Sequence, residues 1–340
     1  MTAFVRRDLA QRLLDEERLA PAATRSAGSR GRSRPEPPDD LRTCFEQDRD
    51  RILHSKAFRR LKHKTQVFIN PEGDHYVTRL THALQVTQIA RSLAAALGLN
   101  EPLAEAIALG HDVGHTPFGH TGEDALSPYF PGGWHHAAQG VRIFELLEDR
   151  NLTWEVRDGI RAHTWRIDPP PATPEARCVR FADRIAYLTH DALDALRAGV
   201  LKPDDFPAAT LEVLGRPGSA WIQEMIQAVV EHSMEAGTVE MRPATLAVVD
   251  ELRAFMFSRV YQAEHSQMQK RTAIAVIRHL VDYHLERPEQ LPPSYRDNDA
   301  DLVTQVADYV AGMTDRFALA AHDRLFDTAV LETPLADARL

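Results

Sequence analysis

Residues 110–122 read GHDVGHTPFGHTG, with four glycines and three histidines in thirteen positions. So much glycine rules out regular helix throughout the stretch. On both sides of it the apolar residues recur at helical spacing. Upstream, Leu80–Leu97 carries Val86, Ile89, Ala90, Leu93 and Leu97 on one face, and Gly98 supplies the stop. Asn100 can cap the next helix, with Pro102 in its first turn, through Leu103 and Ile107 to about Leu109. Downstream, helices are predicted over Ala137–Asp149, Trp154–Ala162 and Glu175–Arg197, the last two separated by Pro169-Pro170-Pro171. Segments 219–236, 243–286 and 299–322 also read as helical. On the N-terminal side, Phe45, Ile52, Leu53, Ala57, Phe58 and Leu61 predict one helix from about Thr43–Glu46 to about Lys64, preceded by a short charged helix over Asp8–Leu19. Gln66–Tyr76 holds the turn signal Pro71-Glu72-Gly73-Asp74 and reads as a loop or small hairpin. With no strand–helix–strand alternation and no internal repeat, the predicted fold class is all-α.

The chain has 340 residues, 44% apolar and 26% charged, enough for one large domain or two ordinary ones. No uninterrupted apolar run reaches about 18 residues, so no membrane segment is expected. Met1–Asp15 is charged throughout and lacks a signal-peptide core. Two cysteines, Cys44 and Cys178, exclude a disulfide framework and point to a cytoplasmic protein. Net charge is −9, unevenly spread: residues 1–64 hold 16 Lys/Arg against 10 Asp/Glu. Thr24–Asp40 is rich in Ser, Gly, Pro and Arg and reads as a mobile loop. The expected organisation is a basic N-terminal arm over 1–41 with that loop at about 24–40, a metal-binding core over 42–200, and a helical region over 201–340 packed on the core and completing a pocket. The basic arm is a candidate contact for phosphates, in a nucleotide or in single-stranded nucleic acid.

Histidine is unusually abundant, and nine of the 16 lie between His54 and His136. His111-Asp112 stands where a helix should end, so the backbone can turn both side chains inward. His82 lies near the start of the preceding helix. Two consecutive antiparallel helices would bring these ends together. Asp183 sits in an apolar helix among Val179, Phe181, Ile185 and Leu188, where a buried carboxylate needs a partner. His82, His111, Asp112 and Asp183 form a nitrogen–oxygen donor set suited to Mn, Fe, Co, Ni, Zn or Mg. Glu123 follows His120 by three positions, and Arg79 precedes His82 by three. Tyr187 and Asp191 follow Asp183 by four and eight, on one helix face. Arg253 and Tyr261, eight apart, stay close to one face.

These stretches resemble the HD-domain phosphohydrolases, and within them the deoxyguanosinetriphosphate triphosphohydrolase-like family. The likeness rests on Arg49-Asp50-Arg51, Phe58-Arg59-Arg60-Leu61, Lys64-Thr65-Gln66-Val67, Thr78-Arg79-Leu80-Thr81-His82, the loop from Gly110 to His120, and Ala182-Asp183-Arg184-Ile185-Ala186-Tyr187. It is strong over about 42–200 and weaker over 245–265. It implies an HD-domain helical fold with additional C-terminal helices, and a divalent ion held by His82, His111, Asp112 and Asp183. The implied reaction cleaves a deoxynucleoside triphosphate to deoxynucleoside and triphosphate, with metal-activated water attacking the α-phosphorus. His115, His120, Glu123 and His136 are the implied catalytic group, His120 and Glu123 acting as a pair. His135 stands where the family has Glu and Ala137 where it has Asn, which leaves the roles of His135 and His136 open. Arg79, Arg184 and Arg253 are implied phosphate contacts. Tyr187, Asp191 and Tyr261 belong to the sugar, Gln66 lies near the 3′-hydroxyl, and Val67 fills the place of a ribose 2′-hydroxyl. The family also implies a homo-oligomer and a dNTP effector. The alternatives are an HD phosphohydrolase acting on another nucleotide phosphate ester, and a regulator that binds nucleotide or single-stranded nucleic acid.

Overall fold

The computed structural model describes residues 4–66, 77–262 and 264–326, with the backbone alone for 264–266. Val67 lies outside the described residues. Among them there is no strand, only two isolated bridges, Arg32–Thr153 and Thr65–Thr78. The fold is all-α.

Helix boundaries follow local chemistry. After α1 (Leu9–Asp15), Thr43 and Glu46 form a reciprocal capping box at the start of α2 (Cys44–Leu53). The single helix predicted to Lys64 is broken at His54–Ser55, because Ser55 caps a new short helix, α3 (Lys56–Arg60), by accepting the Phe58 N–H at 3.0 Å. Thr78 caps α4 (Arg79–Ala96), which ends before Gly98 at φ +66°. Asn100 caps α5 (Glu101–Gly110) as predicted, accepting from Leu103. Then come α6 (His120–Leu126), α7 (His136–Arg142) with a π-helical turn to Leu147, α8 (Trp154–Ala162) and α9 (Pro174–Arg197). The C-terminal part adds α10 (Ala208–Leu214), α11 (Ser219–Ala236) and α12 (Pro243–Met256), which runs into a π-helical turn to Tyr261. Last are α13 (Glu264–Glu286), α14 (Pro293–Arg296), α15 (Leu302–Ala311) and α16 (Asp315–Phe326). The segments 243–286 and 299–322, read as helical, are each more than one helix. The π-helical turn interrupts the first and Gly312–Thr314 the second.

One apolar core joins α2, α4, α5, α8, α9, α11 and α12 through Ile52, Val86, Ile89, Leu93, Leu103, Ile107, Ile160, Ile185, Trp221 and Leu252, all fully buried. Each such side chain contributes about 1.5–3 kcal/mol. A second core packs Phe118, Leu126 and Trp134 against Val276, Ile277 and Leu280 of α13, Val306 and Val310 of α15 and Leu319 of α16. The C-terminal helices thus cover the back of the Gly110–Gly122 loop.

Thr24–Asp40, expected as a mobile loop, is irregular but fastened to the core. Glu175 accepts from the Thr24 N–H and hydroxyl at 2.9 and 2.7 Å. Glu155 accepts from the Ser29 hydroxyl and Arg30 N–H, and Arg30 lies over the Trp154 ring. Arg32 pairs with buried Asp48 and donates to the Cys44 carbonyl. Several arginines of the first 64 residues are paired internally: Arg7 with Asp15, Arg12 with Glu46, Arg34 with Asp149, Arg42 with Asp39 and Asp50, and Arg51 with Glu36. No helix among the described residues is long and apolar enough to cross a membrane.

Candidate metal centre

The short turn between α4 and α5 returns the chain antiparallel, so His82 in the first turn of α4 meets His111 and Asp112 at the end of α5. α9 crosses both and adds Asp183. His82 Nε2 lies 3.0 Å from Asp183 Oδ1 and 4.0 Å from Asp112 Oδ2. His111 Nε2 lies 3.4 Å from Asp112 Oδ1 and 3.8 Å from Asp183 Oδ1. The ligand atoms of His82, His111 and Asp183 fall within 4.8 Å of one another. His111 donates through its other nitrogen, Nδ1, to the Ala108 carbonyl at 2.7 Å, which leaves Nε2 facing the carboxylates. That Nε2 is fully buried and has no hydrogen-bond partner among the described residues. A buried, unpartnered nitrogen facing two carboxylates fits a cation.

The charges agree with that fit. Burial opposes ionisation of Asp112, yet His111, His115 and Arg79 hold its carboxyl well below the usual range. Burial likewise works against the Asp183 carboxylate, but the His82 hydrogen bond and neighbouring imidazoles bring it to about 2. Both are acceptors at neutral pH.

A second group adjoins the first. Glu123 Oε1 lies 2.6 Å from His136 Nδ1, 3.1 Å from His115 Nδ1 and 3.2 Å from His120 Nδ1. His115 and His136 stack with centroids 3.8 Å apart, and His115 Nε2 lies 3.1 Å from Asp112 Oδ1. Burial lowers the His115 pKa to about 3, so its ring is neutral. The side chain of His120 is 72% exposed and that of Asp183 21%, whereas His82, His111 and Asp112 are nearly sealed. The opening to solvent is therefore on the His120–Asp183 side. His135 is exposed and lines a separate cleft of about 200 Å³ with Trp134, Arg142 and Thr304, while His136 points inward.

The remaining candidate residues divide. Arg79 is buried and donates to Asp112 Oδ2 at 2.7 Å, with its Nε unpartnered. Gln66 keeps a buried Oε1 without a partner among the described residues, close in sequence to the bridge that leads into α4. Tyr261 donates to Asp191 Oδ2 at 2.5 Å, and burial pushes the Asp191 carboxyl up to about 8. Tyr187 is half-buried, and burial pushes its phenol up to about 12. Arg184, a step of one residue round α9 from Asp183, instead stacks over Trp165 at 4.2 Å and pairs with Asp250 at 3.1 Å. Arg253 is exposed near the same Asp250. The structure thus gathers the eight proposed metal and catalytic residues into one cluster and sets Arg184 and Arg253 beside Asp250.

Sequence reasoning passed over His163. It ends α8 and directs Nδ1 to the Ile160 carbonyl at 2.8 Å, as His111 ends α5 and reaches the Ala108 carbonyl. Its Nε2 meets His136 Nε2 at 3.0 Å. The available signal was positional, a histidine closing an amphipathic helix.

A divalent-metal hydrolase of the HD type is the class that this fold and donor set define. The HD-domain family model matches residues 79–188, and the phosphohydrolase-associated domain matches residues 239–324. A deoxyguanosinetriphosphate triphosphohydrolase-like protein of Caldanaerobacter subterraneus is 46% identical, covering 92% of this chain and 94% of its own length. Proteins of the same name from Desulfatibacillum aliphaticivorans and Clostridium perfringens are 44% and 42% identical, covering 95% and 91% of this chain and 98% and 94% of their own lengths. The chain belongs to the deoxyguanosinetriphosphate triphosphohydrolase-like family of HD-domain phosphohydrolases.

Proposed function

We propose that this chain hydrolyses deoxynucleoside triphosphates, dGTP or dNTPs generally, to a deoxynucleoside and inorganic triphosphate. Water attacks the α-phosphorus and the 5′-oxygen leaves with a proton. The observation that carries this reading is the buried, unpartnered Nε2 of His111 facing Asp112 and Asp183, one layer below the exposed His120. The relatives' names support the substrate class. A divalent ion (Mn, Mg, Co, Fe, Ni or Zn) held by His82, His111, Asp112 and Asp183 would make water more acidic and offset phosphate charge.

The chain's own residues supply the rest. His120 stands at the opening with Nδ1 beside Glu123, leaving Nε2 to protonate the departing 5′-oxygen. Glu123 stays ionised: burial works against its charge, but His136, His115 and His120 hold its carboxyl well below the usual range. His136, on the buried side, keeps that carboxylate aimed. His115 is a positioning residue that braces Asp112. Arg79 shares its guanidinium between Asp112 and an α-phosphate oxygen. Asp191, with Tyr187 and Tyr261, receives the deoxyribose, and the free Oε1 of Gln66 accepts its 3′-hydroxyl. Val67 is the proposed block to a 2′-hydroxyl. Arg184 and Arg253 are proposed to meet the β- and γ-phosphates after release from Asp250.

Each dNTP, incubated with Mn, Mg or Co and resolved by chromatography, is expected to yield deoxynucleoside and triphosphate. Diphosphate or orthophosphate as first product would select another phosphate-ester hydrolase. His111→Ala is expected to lose both bound ion and turnover, as read by metal analysis and initial rate. The same reading includes a homo-oligomer and a dNTP effector, tested by light scattering and by rate against a second dNTP. A cytoplasmic location is part of the proposal, supported by the two free cysteines.

A further inference from the structure

Trp165 is 43% exposed, stands only two residues after the buried His163, and has no part in the reaction as proposed. It rides on a turn that Arg180 ties down. Arg180 Nε donates to the Ala162 carbonyl at 2.9 Å, and its Nη2 donates to the Thr164 and Ile167 carbonyls at 2.8 and 3.0 Å. Three bonds from one planar guanidinium fix the backbone on both sides of the indole. The Phe181 ring meets the indole edge to face, with centroids 5.1 Å apart. The Arg184 guanidinium lies over the indole, its carbon 4.2 Å from the ring centroid. The ring is held by a built framework, and it in turn holds a cation.

That cation is incompletely satisfied. The Arg184 side chain is only 8% exposed, and its Nε is buried with no hydrogen-bond partner among the described residues. A buried N–H without an acceptor is costly unless a ligand supplies one. Arg184 Nη1 donates to Asp250 Oδ1 at 3.1 Å, and the same oxygen stands 4.0 Å from Arg253 Nε, one turn further along α12. The Asp250 side chain is half-exposed and touches the fork end-on through one nitrogen, which makes a weak pair. A phosphate offers the same fork two oxygens at once and more negative charge. Asp250 therefore occupies the place of an anion that would satisfy Arg184 better.

We propose that Trp165 is a positioning residue whose indole fixes the plane of the Arg184 fork for the last phosphate of the substrate's tail, and that Asp250 is a specificity-determining residue that stands in for that phosphate until it arrives. The inference rests on the reading of the substrate as a nucleoside triphosphate and deepens it. Asp250 repels any anion that does not displace it. A tail that ends short of the fork gains nothing there, whereas a terminal phosphate takes over the contact and fills the free Nε. The selection is for the length of the tail, independent of base and sugar.

The test uses the full-length chain, each dNTP that it turns over, and the matching deoxynucleoside monophosphate as a competing ligand with a short tail. Asp250→Asn keeps the shape of a half-exposed side chain and removes its charge. KM for the triphosphate is expected to fall about two- to fivefold, with the change in KM rather than kcat. Trp165→Ala is expected to raise that KM about tenfold, and Trp165→Phe to recover most of the loss. The inhibition constant of the monophosphate is expected to stay the same in all three variants, which separates a tail contact from general damage to the fold. An unchanged KM in Asp250→Asn, or an equal loss for triphosphate and monophosphate in Trp165→Ala, would overturn the parts given to Asp250 and Trp165 and leave the hydrolase reading standing. A wild-type chain that releases triphosphate from no dNTP would overturn that reading and this inference with it.

Discussion

Glu123 offers one carboxylate oxygen to three imidazoles, and each contact has a different consequence. Toward His136 it fixes a buried ring, toward His115 it touches a brace of Asp112, and toward His120 it orients the group nearest solvent. An amide in place of the carboxylate keeps the shape but loses the charge. Glu123→Gln is therefore expected to lower kcat by about 10²–10⁴ while His82, His111 and Asp183 still bind an ion. Steady-state rates beside metal analysis check this; an unchanged kcat would remove the His120–Glu123 pair from the mechanism. That His82, His111, Asp112 and Asp183 come together was readable in the sequence because their types and spacing are rare together. His163 was not. It is one histidine at a helix end with no motif around it, and only the packing of α8 against α7 brings its ring to His136.

At the level of elements, the Gly110–Gly122 loop needs its glycines for close approach. A Cβ on Gly114 would lie 2.1 Å from the His136 carbonyl oxygen and 2.3 Å from the Gly140 nitrogen, both backbone atoms of α7. Neither can swing aside as a side chain can. Gly114→Ala must therefore push α7, and His136 with it, away from the loop. A loss of about 1–3 kcal/mol or more is expected in urea unfolding, with loss of turnover. Gly119, at φ +57°, takes a left-handed backbone and leaves room for Arg79 Nη2, which a Cβ would meet at 2.4 Å. The cap at Asn100 and the stop at Gly98 were legible because they act within a few residues. The division of 243–286 was not, since the π-helical turn at Phe257–Tyr261 has no proline and no glycine to announce it.

For the molecule as a whole, the C-terminal helices hold the centre from behind. Asp315 accepts from the Phe118 N–H at 3.0 Å and the Thr65 N–H at 2.9 Å, tying the loop to the chain entering α4. Asp308 accepts from Gln139 and Arg142 of α7. Lys64 donates to the carbonyls of His115 and Ala311, and burial lowers its pKa to about 7. Burying neutral histidines has a cost in acid. His163 stays neutral in the folded chain to about pH 4, while the unfolded ring protonates near 6.5. Between those values the unfolded state binds more protons, so this contribution to stability is present above 6.5 and is lost as the pH falls toward 4. In chelated protein, the stability difference between wild type and His163→Gln is expected to shrink steadily over that window. Urea unfolding at successive pH values measures it, and a constant difference would reject a buried neutral ring.

Local sequence by itself determined the helical class and many of the helix ends, and it singled out His82, His111, Asp112 and Asp183 as a group. Those depend on periodicity, caps and residue types within a turn or two. Tertiary structure decided what depends on distant partners. It fastened Thr24–Asp40 through Glu155 and Glu175, paired Arg7, Arg12, Arg32 and Arg34 of the basic arm with carboxylates, and turned Arg184 toward Trp165 and Asp250. It also buried His136 and left the neighbouring His135 exposed. His135 is the extended residue before α7 and His136 the first residue within it, so the two rings point apart, and the packed loop and α8 enclose only the second.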